Sequence, residues 1–142
     1  MSAGIRGSKL EARGARGVAQ GAPLRSHRDL DAYRRSMDLL VRVHEICRKL
    51  PEDDRYDLGN QMRRASKSIP ADIAEGFGRK TSEKEFKHHM KTAMASASDM
   101  ETHLELAGRL GYAKRAQLET LRDGYSHVGT QLNRLIANWR HF

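Results

Sequence analysis

From Leu118 to Trp139 the apolar residues fall at Leu118, Leu121, Tyr125, Val128, Leu132, Leu135 and Trp139, spaced 3-4-3-4-3-4. A period of seven held over three heptads is a coiled-coil-like seam, one stripe of a long helix turned toward a partner. The pattern predicts a helix from about Lys114 to Trp139. The same spacing runs through Phe86, Met90, Ala93, Ala97, Met100, Leu104 and Ala107, where three alanines make the face thin enough for a neighbour to pack close. Ser82 and Glu85 form a capping box at the start of that helix, with each side chain reaching the other's backbone N–H, and Gly111 is placed to end it. Tyr33, Met37, Leu40, Val43, Cys47 and Leu50 mark an earlier helix from about Leu30 to Leu50, with Asp29 as its N-cap and Pro51 as its stop. Beta-branched residues are sparse through the body, which argues against a sheet.

A fourth apolar series, Leu58, Met62, Ala65, Ile69, Ile73 and Phe77, carries the most unusual stretch in the chain. Ser68-Ile69-Pro70-Ala71-Asp72-Ile73-Ala74-Glu75-Gly76-Phe77-Gly78-Arg79 has helical spacing, yet it contains a proline and ends in two glycines. Pro70 has no N–H to give the carbonyl of Ser66, so a kink is expected there, eased by the hydroxyls of Ser66 and Ser68. Ala71 and Ala74 leave room for a neighbouring backbone. Gly76 and Gly78 are expected to end the helix by allowing left-handed geometry. Four helices of roughly 30–39 Å, joined by short links, pack antiparallel to their neighbours. The expected fold is an all-α, antiparallel up-down-up-down four-helix bundle over residues 29–142.

Residues 1–28 read differently. They hold six Lys or Arg against Glu11 alone, five of the eight net positive charges, and show no apolar periodicity. A disordered basic tail is expected, either a solvated extension or an arm lying along a phosphate backbone. The chain as a whole, with pI about 10.0, favours acidic partners: nucleic acid, an anionic membrane or an acidic protein. No apolar run approaches the length of a membrane span. The single cysteine, Cys47, lies on an apolar face and suits a reducing cytoplasm.

The stretch Ser68–Gly76 resembles the signature of the small four-helix-bundle proteins first noted as products of intervening sequences in bacterial large-subunit ribosomal RNA. That family includes the accessory variability determinant of diversity-generating retroelements. The resemblance extends through Gln61–Ala65, Glu85-Phe86, Ser96–Leu104, Leu110-Gly111-Tyr112 and the last helix. It covers about residues 29 to 140. It implies a bundle that assembles into a ring, commonly a homopentamer. In the retroelement branch it also implies a basic surface that binds nucleic acid and a partner reverse transcriptase. One residue departs: the family usually has Asn where this chain has Asp72. The acidic pair Asp72 and Glu75 disfavours a phosphate contact there unless Arg79 or another cation offsets it.

The basic candidates are Arg63, Arg64 and Lys67, then Arg79 and Lys80 in the link, then Lys84, Lys87, His88 and Lys91. Lys84, His88 and Lys91 share a helix face, and Lys87 sits beside Lys91. Each alone is an ordinary solvated residue. As a set with few acids among them, repeated around a ring, they would bind RNA or DNA backbone by weak contacts multiplied. No aromatics interleave the patch, so base reading is not expected.

Two other readings stand beside this one. A metal-carboxylate enzyme would need inward Glu-x-x-His pairs; Glu85/His88 is one, and Asp99/His103 and Asp123/His127 have i, i+4 spacing. His44 reads as a hydrogen-bonded, half-buried side chain. A protein-only adaptor ring would use Trp139, Tyr112, Tyr125 and Phe142 as anchors. No phosphate loop or Ser/His/Asp arrangement is visible, so neither enzymatic activity nor a cofactor is expected.

Overall fold

Each of the four apolar stripes folds as one helix. The computed structural model describes residues 24–142, with α1 spanning Asp31–Arg48, α2 Leu58–Gly78, α3 Glu83–Arg109 and α4 Arg115–Ala137. A 3-10 turn at His27–Asp29 precedes α1, a single helical turn at Glu52–Arg55 joins α1 to α2, and a second 3-10 turn, Trp139–His141, follows α4. No strand occurs among the described residues. Each helix packs on its neighbour in the chain, and α1 packs on α4 to close the bundle. This is the up-down-up-down arrangement that the short links require.

The seven α3 positions read from the spacing are all buried, as are Leu118, Leu121, Tyr125, Val128 and Leu132 of α4. Leu135 and Trp139 pack against that core from its edge. On α2, Leu58, Met62, Ile69, Ile73 and Phe77 point inward, but Ser66 is buried and Ala65 only partly so. The α1 stripe is turned from its expected position. Val43, Cys47 and Leu50 are buried, whereas Met37 is 40% exposed, and Ala32, Ser36, Leu39 and Ile46 occupy the interior. Two local facts explain the rotation. Ser36 Oγ donates to the Tyr33 carbonyl at 2.8 Å, which satisfies its hydroxyl inside the bundle. Leu39 fills the space over Gly124, where a Cβ would come within 2.6 Å of Leu39 Cδ2.

The helix ends correct several expectations. Asp29 does not cap α1: it closes a capping box with Ser26 around the 3-10 turn, accepting from the backbone N–H groups of Arg25 (2.8 Å) and Ser26 (3.2 Å). These bonds hold the Asp29 carboxyl below the usual carboxylate range. The N-cap of α1 is the buried Leu30, which offers no side-chain bond. Leu24 also packs on the core, so the bundle's contacts reach ahead of residue 29. The tail expected over residues 1–28 lies outside the described residues as far as residue 23. At α3 only half of the capping box forms. Ser82 Oγ accepts from the Glu85 N–H at 3.2 Å, but the Ser82 N–H donates to the Arg79 carbonyl and the Glu85 carboxylate turns to the Arg79 side chain.

Gly76 and Gly78 do not end α2 in left-handed geometry. Both are helical, and among the described residues the one positive-φ glycine is Gly111, at φ 75°. Gly111 closes α3 as expected: Tyr112 N–H donates to the Ala107 carbonyl (2.9 Å) and Gly111 N–H to that of Gly108 (3.1 Å), the paired bonds of a Schellman turn. α2 runs on through Pro70, with Ser66 Oγ and Ser68 Oγ donating to the carbonyls of Arg63 and Ala65. The links are tied down by aromatic residues. The Tyr112 hydroxyl donates to Asp54, Trp139 Nε1 donates to the Lys80 carbonyl at 2.8 Å, and the Phe142 ring lies 5.6 Å from that of Phe86.

Two substitutions test this packing. A Cβ on Gly76 would meet His89 Cβ and Met90 Cε at 2.9 Å. Gly76→Ala therefore loses more by overpacking (about 1–3 kcal/mol) than the roughly 1 kcal/mol it gains in helix propensity, and thermal melting should fall by several degrees. The Tyr125 hydroxyl is buried with no hydrogen-bond partner, and burial pushes its ionisation far above the usual phenol range. Tyr125→Phe removes an unsatisfied donor without changing the ring, so it should leave the melting temperature unchanged or raise it. A loss of more than about 1 kcal/mol would show that the hydroxyl has a partner.

Candidate functional site

The proline-containing stretch is first of all the contact between α2 and α3. Its large apolar residues face the core, while the adjacent stripe Ser68, Asp72 and Gly76, one turn apart each, faces α3. Ser68 Oγ and Ser96 Oγ are hydrogen-bonded at 2.7 Å, His89 Nδ1 lies 3.7 Å from Asp72 Oδ1, and Gly76 sits against His89 and Met90. Asp72 is therefore met by an imidazole that can carry charge, not by Arg79. Arg79 is held by Glu75 at 2.5 Å and by Glu85 at 2.7 Å. Its hydrogen bond and charge hold the Glu75 carboxyl below the usual range.

The nine basic candidates divide by what already holds them. Arg63 is structural: its guanidinium donates to the Arg55 carbonyl (2.8 Å) and to Asn60 Oδ1 (2.5 Å). Arg79 is held between two carboxylates. Lys87 pairs with Glu83 at 2.6 Å, and that contact holds the Glu83 carboxyl below the usual range. Lys80 Nζ lies over the Phe77 ring, 4.3 Å from its centre, and the His88 ring stands edge-on to His89 at 5.1 Å. Arg64, Lys67, Lys84 and Lys91 are exposed and form no ion pair among the described residues.

These four do not make one patch. The pairing of Ser68 with Ser96 sets Arg64 level with about residue 100 of α3, while Lys84 opens that helix. At about 1.5 Å per residue the two lie roughly 24 Å apart along the pair. Lys84 and Lys91 also point away from the seam: at about 100° per residue each is about 200° around α3 from His89, which faces α2. The cations are thus spread around the outside of α2 and α3.

The other candidates find internal uses. Glu85 is taken by Arg79, and burial pushes the His103 imidazole down while nearby Asp99 opposes that shift. Among the described residues no three His, Cys, Asp or Glu side chains converge as metal ligands do. His44 Nδ1 is 2.9 Å from the Leu40 carbonyl, as its half-buried place suggests. The Cys47 thiol is buried against the Gly59 carbonyl (3.7 Å), and burial pushes its ionisation up. Tyr125, Tyr112, Trp139 and Phe142 serve the core and the links and so do not project as anchors. Among the described residues the exposed large apolar ones are instead Met37, Val41 (57%), Tyr56, Leu106 and Leu110.

One cleft was not legible in the sequence. It lies between the end of α3 and the start of α4, and its lining includes Glu105, Arg109, Arg115, Glu119 and Arg122. These charges come from two helices in alternating sign, so no run or motif announces them.

No helix among the described residues is long and apolar enough to cross a membrane. A search of curated proteins gives no match. Among solved structures, that of a protein of unknown function from the S23 ribosomal protein family of Bacteroides thetaiotaomicron is similar. The likeness has a TM-score of 0.68 at 25% identity and covers 75% of this chain and 96% of that one. The family model described as "23S rRNA-intervening sequence protein" matches residues 28–134, which takes in all four helices up to the last turn of α4. The chain therefore belongs to the 23S rRNA-intervening sequence protein family.

Proposed function

We propose that this protein is a non-catalytic accessory that binds the backbone of RNA or DNA and works as a homo-oligomer. The observation that carries this reading is the set of four exposed cations, Arg64, Lys67, Lys84 and Lys91, that no carboxylate among the described residues neutralises. Lysine and arginine in that state bind phosphate with release of counterions, and their spread around two helices suits contact with a charged backbone more than the reading of bases. The net charge of +8 acts in the same direction at long range. Met37 and Val41, exposed one turn apart on α1, offer an apolar strip for a second copy. A ring, the pentamer implied by the family resemblance, would repeat the cations and raise avidity. A reverse transcriptase is the protein partner that the same resemblance implies for the retroelement branch.

The test is a salt titration of binding to structured RNA and to duplex DNA, with the mass of the free protein measured alongside. Micromolar binding that weakens steeply with salt, from a defined oligomer, is expected. The variant Arg64→Glu, Lys67→Glu, Lys84→Glu, Lys91→Glu should abolish it with the melting temperature kept. Single Lys→Gln changes should each lower the salt slope by about one phosphate contact. Arg63 is left intact because its bonds hold the α1–α2 link. Unchanged binding by the quadruple variant overturns the role given to these four cations, and no binding at low salt by a folded oligomer overturns the reading in favour of an adaptor that binds only protein.

A further inference from the structure

The cleft between the end of α3 and the start of α4 has the chemistry of an anion site. Arg109, Arg115 and Arg122 reach it from both helices, and Gly108 leaves its floor open above Leu118. Glu105 lies between two of them, 3.3 Å from Arg109 Nε and 3.8 Å from an Arg122 guanidinium nitrogen. One carboxylate has two oxygens, and the two guanidinium forks carry about ten N–H donors. Most of those donors are therefore open to solvent or to an anion, and Arg122 Nε is buried with no acceptor among the described residues. Arg115 is the first residue of α4, whose N-cap, Lys114, makes no side-chain bond and whose first turn holds no acid. The first backbone N–H groups of that helix thus begin at the cleft without a capping oxygen. Glu119 also lines the cleft, so three guanidiniums face two carboxylates, and the balance is completed by Lys114 and the positive end of the helix.

From this geometry we infer that the cleft binds a phosphate group. Glu105 acts as a positioning residue that holds Arg109 and Arg122 apart on either side of the opening. Arg115 and Arg122 supply charge-assisted donors, and the free N–H groups of α4 supply neutral ones. The group bound is either a free phosphate of a small ligand or a phosphodiester of a nucleic-acid strand. The site stands apart from the four cations on α2 and α3 and does not need them.

The experiment is a titration of the full chain with inorganic phosphate, followed by amide chemical shifts. Saturable changes centred on Gly108, Gly111, Arg115 and Leu118 are expected. Arg115→Gln, on an exposed side chain, should weaken them about tenfold. Arg115→Gln with Arg122→Gln should remove them, and Arg64→Glu with Lys84→Glu should leave them as they are. A short DNA duplex is then added to the phosphate-loaded protein. Release of phosphate from the cleft identifies a backbone phosphodiester as its occupant; retention identifies a small phosphorylated ligand. Absence of saturable shifts at millimolar phosphate overturns the inference, as do shifts that persist unchanged in a folded Arg115→Gln, Arg122→Gln variant. Loss of nucleic-acid binding in the α2 and α3 charge-reversal variant, with phosphate shifts intact, would separate the two sites.

Discussion

The close approach of α2 to α3 is the constraint on which the rest of the structure depends. It is made by the small and polar stripe Ser68, Asp72 and Gly76, placed beside the apolar stripe and not within it. The hydroxyl pair Ser68–Ser96 pins the register, and Gly76 lets the backbones meet where any Cβ would collide with His89 and Met90. With that register fixed, Phe86 and Met90 fall opposite the last turns of α2, and the thin alanine face of α3 completes the interior. The proline inside α2 is tolerated because the serine hydroxyls around it bond the preceding turn and because Pro70 itself is buried.

The architecture was legible because seven-residue spacing survives any local detail. All seven α3 positions and the inward face of α4 could be named from it, and Gly111 could be named as the stop. What the spacing could not show was where a smaller residue wins a core position. On α1 it favoured Met37 for its size, but the interior is taken by Ala32, Ser36 and Leu39, since Gly124 on a distant helix makes room for Leu39 and Ser36 satisfies its own hydroxyl. Glycine chemistry misled in a similar way. Gly76 is required by a neighbour 13 residues further on, His89, and not by its own backbone angles. The partner of a side chain was the least legible feature of all. Glu85 has two available roles, cap and ion pair, and only the position of Arg79 decides between them.

The same distinction sorts the charges. A run of basic residues in sequence does not say which cations are already committed. Arg63 is spent on the Arg55 carbonyl of the α1–α2 link and on the Asn60 side chain, Arg79 on two glutamates and Lys87 on one. Those left unneutralised lie on different sides of α2 and α3. Charge count therefore sets the long-range field around the protein, whereas the unpaired side chains are the ones free to meet an anion. The α3–α4 cleft makes the complementary point, since Glu105 meets two guanidiniums that it cannot saturate.

The two aromatic bonds between links act as clasps at opposite ends of the bundle. Tyr112 ties the α3–α4 link to Asp54 in the α1–α2 link, and Trp139 ties the end of α4 to the α2–α3 link at Lys80. Sliding α3 by one turn, about 5.4 Å, would open both at once and drive His89 into the helix it now clears at Gly76. Helix sliding of the kind that relays signals through some bundles is thus closed to this one. Whatever docks on its surface meets a bundle that moves as one rigid piece.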